Sequence, residues 1–146
     1  MRIKPPHIAI TLLFLSWLAS YKFPQLNIVK NPYNNIGIII LVMGLSLTFY
    51  SFYLFKKNKT PILPGEKPKF IVMEGPYKFT RNPMYLGVST ALLGAAVYFG
   101  NLLSVLSPII FFLAMNYYYV PFEEKLMENL FGKKYMNYRK KVRRWV

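Results

Sequence analysis

MYLGVSTALLGAAVYFGNLLSVLSPIIFFLAMNYYYVPF, residues Met84 to Phe122, runs for 39 positions without a charged side chain. A bilayer core takes about 20 apolar residues per helix. The run is therefore about twice too long for one span and reads as a hairpin of two, near residues 84–100 and 102–121. Gly100-Asn101 is the natural turn between them. Toward the N-terminus, Ile36 to Phe55 adds 20 uncharged residues and a third span over 36–55. Ile8 to Tyr21 is shorter, at 14 residues. A helix near 8–22 is either a tilted or shallow span or an interfacial helix. The first twenty residues also resemble a signal peptide, with Arg2 and Lys4 ahead of an apolar run. Because that run leads into further spans, we expect it to be retained.

The fold class expected is all-α: a polytopic integral membrane protein with about four transmembrane helices. One domain covers 1–146, with a cytosolic loop over 56–83 and an amphipathic cytosolic helical tail over 122–146. Orientation follows from charge. With four spans, residues 1–7, 56–83 and the tail after Phe122 share one side, and they hold 17 of the 19 Lys and Arg. Only Lys22 and Lys30 fall on the other. Basic loops stay inside, so both termini and the long loop are expected in the cytoplasm. The net charge of +14 then needs no nucleic acid, since anionic membrane lipids are sufficient partners.

Cysteine is absent, which excludes disulfides, thiolate catalysis and Cys-ligated metals. His7 is the only histidine, it has no ligand spacing around it, and no metal is expected. It reads as an interfacial residue. The loop over 56–83 contains Pro61, Pro64, Pro68, Pro76 and Pro83 and is long enough to carry function. Its apolar Phe70-Ile71-Val72 is expected to fold back onto the membrane face or a ligand. Gly87, Ala91, Gly94 and Ala95 put small residues on one face of the third span, which suits close helix packing. In the tail, Phe122, Leu126, Leu130 and Phe131 recur at helical spacing before Gly132. Tyr135, Tyr138, Val142 and Trp145 continue the stripe, as expected of a helix on the membrane surface.

Two polar clusters flank the hairpin: Gly75-Pro76-Tyr77-Lys78-Phe79-Thr80-Arg81-Asn82-Pro83 before it and Pro121-Phe122-Glu123-Glu124 after it. Each has a structural reading. Asn82-Pro83 starts a helix, with Asn82 as its cap, and Arg81 snorkels to headgroups. Pro121 followed by glutamates is also a good helix start. Yet the chain has only five acidic residues, and two adjacent at a membrane border need a cation or donors. Arg81 is one partner for them and a cationic ligand is another. Both clusters occupy the same end of one hairpin, which is how a pocket between helices is built.

Three segments in this order carry a resemblance: Gly75–Gly87 with its Arg-Asn-Pro-Met-Tyr-Leu-Gly, Glu123–Leu126, and Phe131-Gly132 through Tyr135, Tyr138, Val142 and Arg143. Together, over roughly residues 60–146, they resemble the isoprenylcysteine carboxyl methyltransferase and phospholipid methyltransferase superfamily. That resemblance implies an integral membrane enzyme using S-adenosylmethionine without a Rossmann domain. In agreement, no Gly-x-Gly-x-x-Gly is present. It places Phe70, Ile71, Val72, Tyr77, Asn82, Pro83, Met84, Tyr85 and Glu123 along the cofactor.

Arg81 suits the donor's carboxylate, Glu124 is the expected proton acceptor for an amine, and Tyr119 is expected on the acceptor's side. Many members have histidine where Asn82 stands; Asn82 cannot titrate, so a proton shuttle there is in doubt. No arginine accompanies Tyr117-Tyr118-Tyr119, which weakens a carboxylate acceptor. The expected acceptor is a lipophilic small molecule or lipid entering from the bilayer. A non-catalytic membrane adaptor with a basic tail is the alternative, and a sterol-reductase-like enzyme a weaker one.

Overall fold

The computed structural model describes residues 3–60 and 68–146. Arg2, and Pro61, Pro64 and Lys67 of the long connection, lie outside the described residues. Within them the chain is helical: α1 Pro5–Lys22, α2 Ile36–Lys57, α3 Pro83–Phe99, α4 Leu106–Ala114, α5 Val120–Phe131 and α6 Lys133–Lys141. Among the described residues no strand forms, and pairing is limited to two isolated bridges. Tyr33–Lys57 and Leu102–Phe131 are long and apolar enough to cross a membrane, whereas Pro83–Phe99 is an apolar helix of shorter length.

The small residues of the third apolar segment face α2. A Cβ built on Gly44 would sit 2.4 Å from the backbone nitrogen of Ala91, and one on Gly94 would sit 2.3 Å from that of Leu41. Backbones this close exclude any larger side chain, and close approach replaces the hydrophobic drive that lipid removes. α1 packs on α3 and α4 instead, where Leu12 meets Leu92, Phe111 and Met115. α2 and α1 thus flank α3 on different sides and leave a space between them.

Gly100 turns the hairpin in a left-handed conformation, φ 69°, which glycine adopts without a Cβ clash. Asn101 then caps the next turn by accepting from Leu103 N–H at 3.0 Å. Its amide donates to Phe23 O at 2.9 Å and to Asn27 Oδ1 at 2.7 Å. Nearby, Ser104 Oγ donates to Ser16 O at 2.9 Å. This far end of the bundle is fastened by neutral groups.

From Leu102 the chain stays helical to Phe131, through a 3-10 turn, α4, a π turn over Met115–Tyr119 and α5. Thirty residues make a rod of about 45 Å, so it overruns a hydrocarbon core of about 30 Å. The expected fresh start at Pro121 is therefore corrected: Pro121 sits in the first turn of α5, straight after the π turn. Proline cannot donate to the carbonyl four residues back, and a widened turn accommodates that loss. The buried face records the extra residue as Phe111, Met115, Val120 and Glu124, in steps of four, five and four.

Gly132 breaks the rod as expected, and α6 turns back. Its tyrosines are occupied by protein: Tyr135, Tyr138 and Val142 form a buried cluster with Ile71. Tyr135, Tyr138 and Val142 of the tail stripe thus pack on Ile71 and Trp145 on the Leu12 cluster, where a membrane-surface helix was expected.

Candidate active site

Two linkers that look irregular in sequence build the floor of the site. In the first, Gly75–Lys78 forms a 3-10 turn and Thr80-Arg81-Asn82 enters α3. In the second, residues 142–145 run from α6 back across that entry. Arg81 N–H donates to Arg143 O at 3.0 Å. Thr80 Oγ1 and Asn82 Nδ2 both donate to Arg144 O at 3.0 Å. Trp145 closes the crossing by donating to Asn116 Oδ1 at 2.9 Å and packing its ring, tilted by 43°, against Phe112 with centroids 4.6 Å apart.

At the centre is a buried charge triad. Arg81 Nη2 donates to Glu124 Oε1 at 2.5 Å, and Arg144 Nη2 donates to Glu124 Oε2 at 2.7 Å. Arg144 Nε reaches Oε1 at 3.2 Å, which makes the contact a two-pronged fork. Arg81 and Glu124 side chains are each only 8% exposed. Arg81 Nη1 is also engaged, by the carbonyls of Arg139 at 3.1 Å and Val142 at 2.8 Å. That leaves Arg81 Nε as a buried donor with no partner among the described residues. Burial opposes ionisation of Glu124, but the hydrogen bonds from Arg144 and Arg81 outweigh it and hold its carboxyl below the usual range.

Glu123, the neighbouring carboxylate, lives differently. Tyr85 Oη donates to its Oε1 at 2.6 Å, and no cation pairs with it among the described residues. Burial pushes its carboxyl up to about 7, against the lowering effect of the Tyr85 bond and with Glu124 adding to the rise. Tyr77 is buried with Leu54 and Val72. Its phenol is pushed well above the ordinary value by burial, then by Tyr138 and Glu123.

These groups line one end of a cavity of about 700 Å³. Its other end runs between α1 and α2, past Ala9, Leu13, Leu41, Leu45 and Phe49. Phe70, Ile71, Val72, Tyr77, Arg81, Asn82, Met84, Tyr85, Glu123 and Glu124 all reach this one cavity, so the structure brings ten of the twelve expected site residues together. Pro83 is buried behind the wall in the first turn of α3.

Three expectations change. Asn82 stands at the helix N-cap position, but its side chain makes no cap bond; it fastens the 142–145 segment instead. Tyr119 does not line the cavity; its hydroxyl bonds the carbonyl of Ile3, and it packs beside the Leu12 cluster. Glu124 is ill-suited to accept a proton, because two arginines stabilise its charged form. One floor residue was missed. Arg144 enters the triad, while Arg143, to which the C-terminal match was drawn, is exposed. The signal was available: Val-x-Arg spacing from Val142 falls on Arg144.

A family model described as phospholipid methyltransferase matches residues 33–134. The chain belongs to the phospholipid methyltransferase family. The matched span takes in α2, the loop, the hairpin and both glutamates. A protein of Haemophilus influenzae (strain ATCC 51907 / DSM 11121 / KW20 / Rd), described as uncharacterized, is 41% identical over 63 residues, which is 43% of this chain and 100% of that one.

A solved structure, that of the eukaryotic intramembrane Ras methyltransferase (isoprenylcysteine carboxyl methyltransferase), is similar in fold, with a TM-score of 0.72 at 22% identity. The likeness covers 97% of this chain and 52% of that one, so this chain spans about half the length of that enzyme. Family membership and fold support a membrane methyltransferase.

Proposed function

We propose that this protein transfers a methyl group from S-adenosylmethionine to a lipophilic acceptor, at the cytoplasmic face of a membrane that it crosses four times. The observation that carries the reading is Glu123. It is an anionic group without a cationic partner among the described residues, held by Tyr85 at the polar end of a cavity whose other end is apolar. A carboxylate in such a place is costly unless a cation or donors meet it. The donor brings both a sulfonium and an ammonium. Four spans, with both termini and the site cytoplasmic, follow from the basic loops. α1 then crosses as a tilted or shallow span.

The residues fit this cofactor. Glu123 would take its ammonium or ribose hydroxyls, the faces of Tyr77 and Tyr85 suit a cation, and the leftover Arg81 Nε–H is a donor for its carboxylate. Phe70, Ile71, Val72 and Met84 would cover its apolar parts, while Asn82 and Pro83 shape the wall beside it. When bound, the cofactor supplies a methyl already activated by positive sulfur, so the protein's main task is alignment. Fixing two reactants in line is worth about 7–11 kcal/mol.

Glu124, held between Arg81 and Arg144, keeps the floor in place. Glu123 is the remaining floor carboxylate able to take a proton from an amine acceptor; a carboxylate or thiolate acceptor needs no base. The acceptor's apolar part would enter sideways from the bilayer, between α1 and α2.

Calorimetric titration of detergent-purified protein with S-adenosylhomocysteine tests the reading, with NADPH as control. Saturable binding that weakens in Glu123→Gln supports it and leads to an acceptor screen with lipid extract. A folded protein that binds neither ligand leaves the basic-tailed adaptor ahead, and binding of NADPH alone favours a reductase.

A further inference from the structure

We infer that Arg144 is a positioning residue for the donor site, and that residues 142–145 form the clasp through which it acts. This rests on the reading of the floor as a donor site. The argument starts from where the chain goes after α6. The last element packs its tyrosines on Ile71, and then the chain crosses the mouth of α3 in extended conformation, Val142 having φ −120° and ψ 131°. In this crossing, backbone carbonyls do the fastening. Those of Arg139 and Val142 take both bonds of Arg81 Nη1, that of Arg143 takes the Arg81 amide, and that of Arg144 takes Thr80 and Asn82. Every residue from Thr80 to Asn82 is thus tied to the C-terminal segment.

Arg144 supplies the only side chain in the crossing that reaches Glu124, and it occupies both carboxylate oxygens. Without it, Glu124 would keep a single cation at Arg81, with one oxygen buried and unpaired. The pair would then be held only by the Arg81 Nη1 bonds to the Arg139 and Val142 carbonyls, and the direction of the Nε–H assigned to the donor's carboxylate would no longer be fixed. The fork therefore sets where Arg81 points, although Arg144 is absent from the cavity lining. Asn82 belongs to the same device: its amide is committed to the clasp, which gives a place to a residue that cannot titrate. The far end is anchored by Trp145 on Asn116 and Phe112, and Asn116 Oδ1 also accepts from Arg144 Nη1 at 3.5 Å.

The test compares two arginines one residue apart. Arg143→Gln removes an exposed charge; Arg144→Gln removes the fork. In Arg144→Gln we expect S-adenosylhomocysteine to bind about tenfold or more weakly, the KM for the donor to rise in step, and kcat to stay within about twofold. Arg144→Lys should recover part of the affinity, since it returns charge without the fork. Arg143→Gln should match the native protein.

Amide hydrogen exchange on unliganded protein gives an independent readout: Arg81 N–H should exchange faster in Arg144→Gln and unchanged in Arg143→Gln. Should Arg144→Gln fail to fold, Asn116→Ala loosens the anchor and should produce a smaller change of the same kind. Equal affinity and equal Arg81 exchange in the two glutamine variants overturn the clasp. Failure of the native protein to bind the ligand sinks the donor-site reading instead, and the exchange comparison still decides whether the clasp holds Arg81.

Discussion

The two ends of the bundle solve one problem with opposite chemistry. At the turn of the hairpin, Asn101 is 1% exposed and ties α1's exit to the turn through neutral amides and carbonyls. Ser16 and Ser104 fasten α1 to the same region. At the other end, the fastening uses Glu124 between two arginines, and an additional carboxylate, Glu123, stands in the cavity wall. Neutral hydrogen bonds suffice to hold helices together, and burying charge is costly even when it is paired. The contrast teaches that the charged end does something that helix fastening does not require.

Five changes would break or sharpen this contrast. The largest effect is expected from Arg81→Ala, which leaves Glu124 with one partner and removes two side-chain bonds to carbonyls. Breaking a buried pair should lower stability by about 3–5 kcal/mol, read by denaturant unfolding, and abolish binding of S-adenosylhomocysteine. A stable variant would mean that the floor tolerates an open triad.

Glu123→Gln should do the reverse. It removes a costly buried charge, so stability should hold or rise, while affinity for the same ligand should fall about a hundredfold in calorimetry. Unchanged affinity would place the ligand elsewhere.

Asn101→Ala tests the neutral end. Unpairing Asn27 and the Phe23 carbonyl should cost about 1–3 kcal/mol of stability with ligand affinity unchanged. A loss of affinity there would couple the two ends.

pH separates them further. Burial pushes the Glu123 carboxyl up to about 7, and its charged form is the one that attracts a cation. Affinity should therefore be full above pH 8 and fall about tenfold by pH 6, as protons compete for the carboxylate. Glu124, held below the usual range, stays charged throughout and contributes nothing to this window. A flat profile, measured with the Glu123→Gln variant as reference, would deny Glu123 contact with the ligand.

The smallest effect is expected from Ser104→Ala, about 1 kcal/mol in thermal unfolding. A null result would assign the fastening of α1 to Asn101 and to Ser16 Oγ on the Ser104 carbonyl.

Much of this was legible in the chain, for identifiable reasons. Gly87, Ala91 and Gly94 announce close packing because small residues at steps of three and four have few other uses in an apolar helix. Gly100-Asn101 announces a turn by its chemistry. Arg81 could be offered as one partner for the two glutamates before any coordinates, since few acidic residues were available to meet a cation at that border, but which of them it meets could not be read. What escaped was geometry that no residue type encodes. The π turn over Met115–Tyr119 breaks the helical count, so a face extrapolated from Met115 by steps of four arrives at Tyr119, whereas the chain buries Val120 and Glu124. The tail showed an apolar stripe, but a stripe does not say whether lipid or Ile71 will cover it. Asn82 carried the pattern of a cap, and a distant carbonyl at Arg144 outcompeted the local amides.

The π turn has a consequence for how this protein can change by descent. Glu123 and Glu124 are adjacent and chemically identical, and only the phase of the helix beneath them decides which one meets the arginines. Losing one residue between Met115 and Tyr119 would turn the buried steps of four, five and four into four, four and four, closing the π turn to an ordinary helical turn with Glu124 still facing the arginines. In most spans such a deletion is simply damage. Here the widened turn absorbs the loss, whereas the same deletion elsewhere in the span would rotate both glutamates away from the arginines by about 100°, so where a deletion falls decides whether the site survives it.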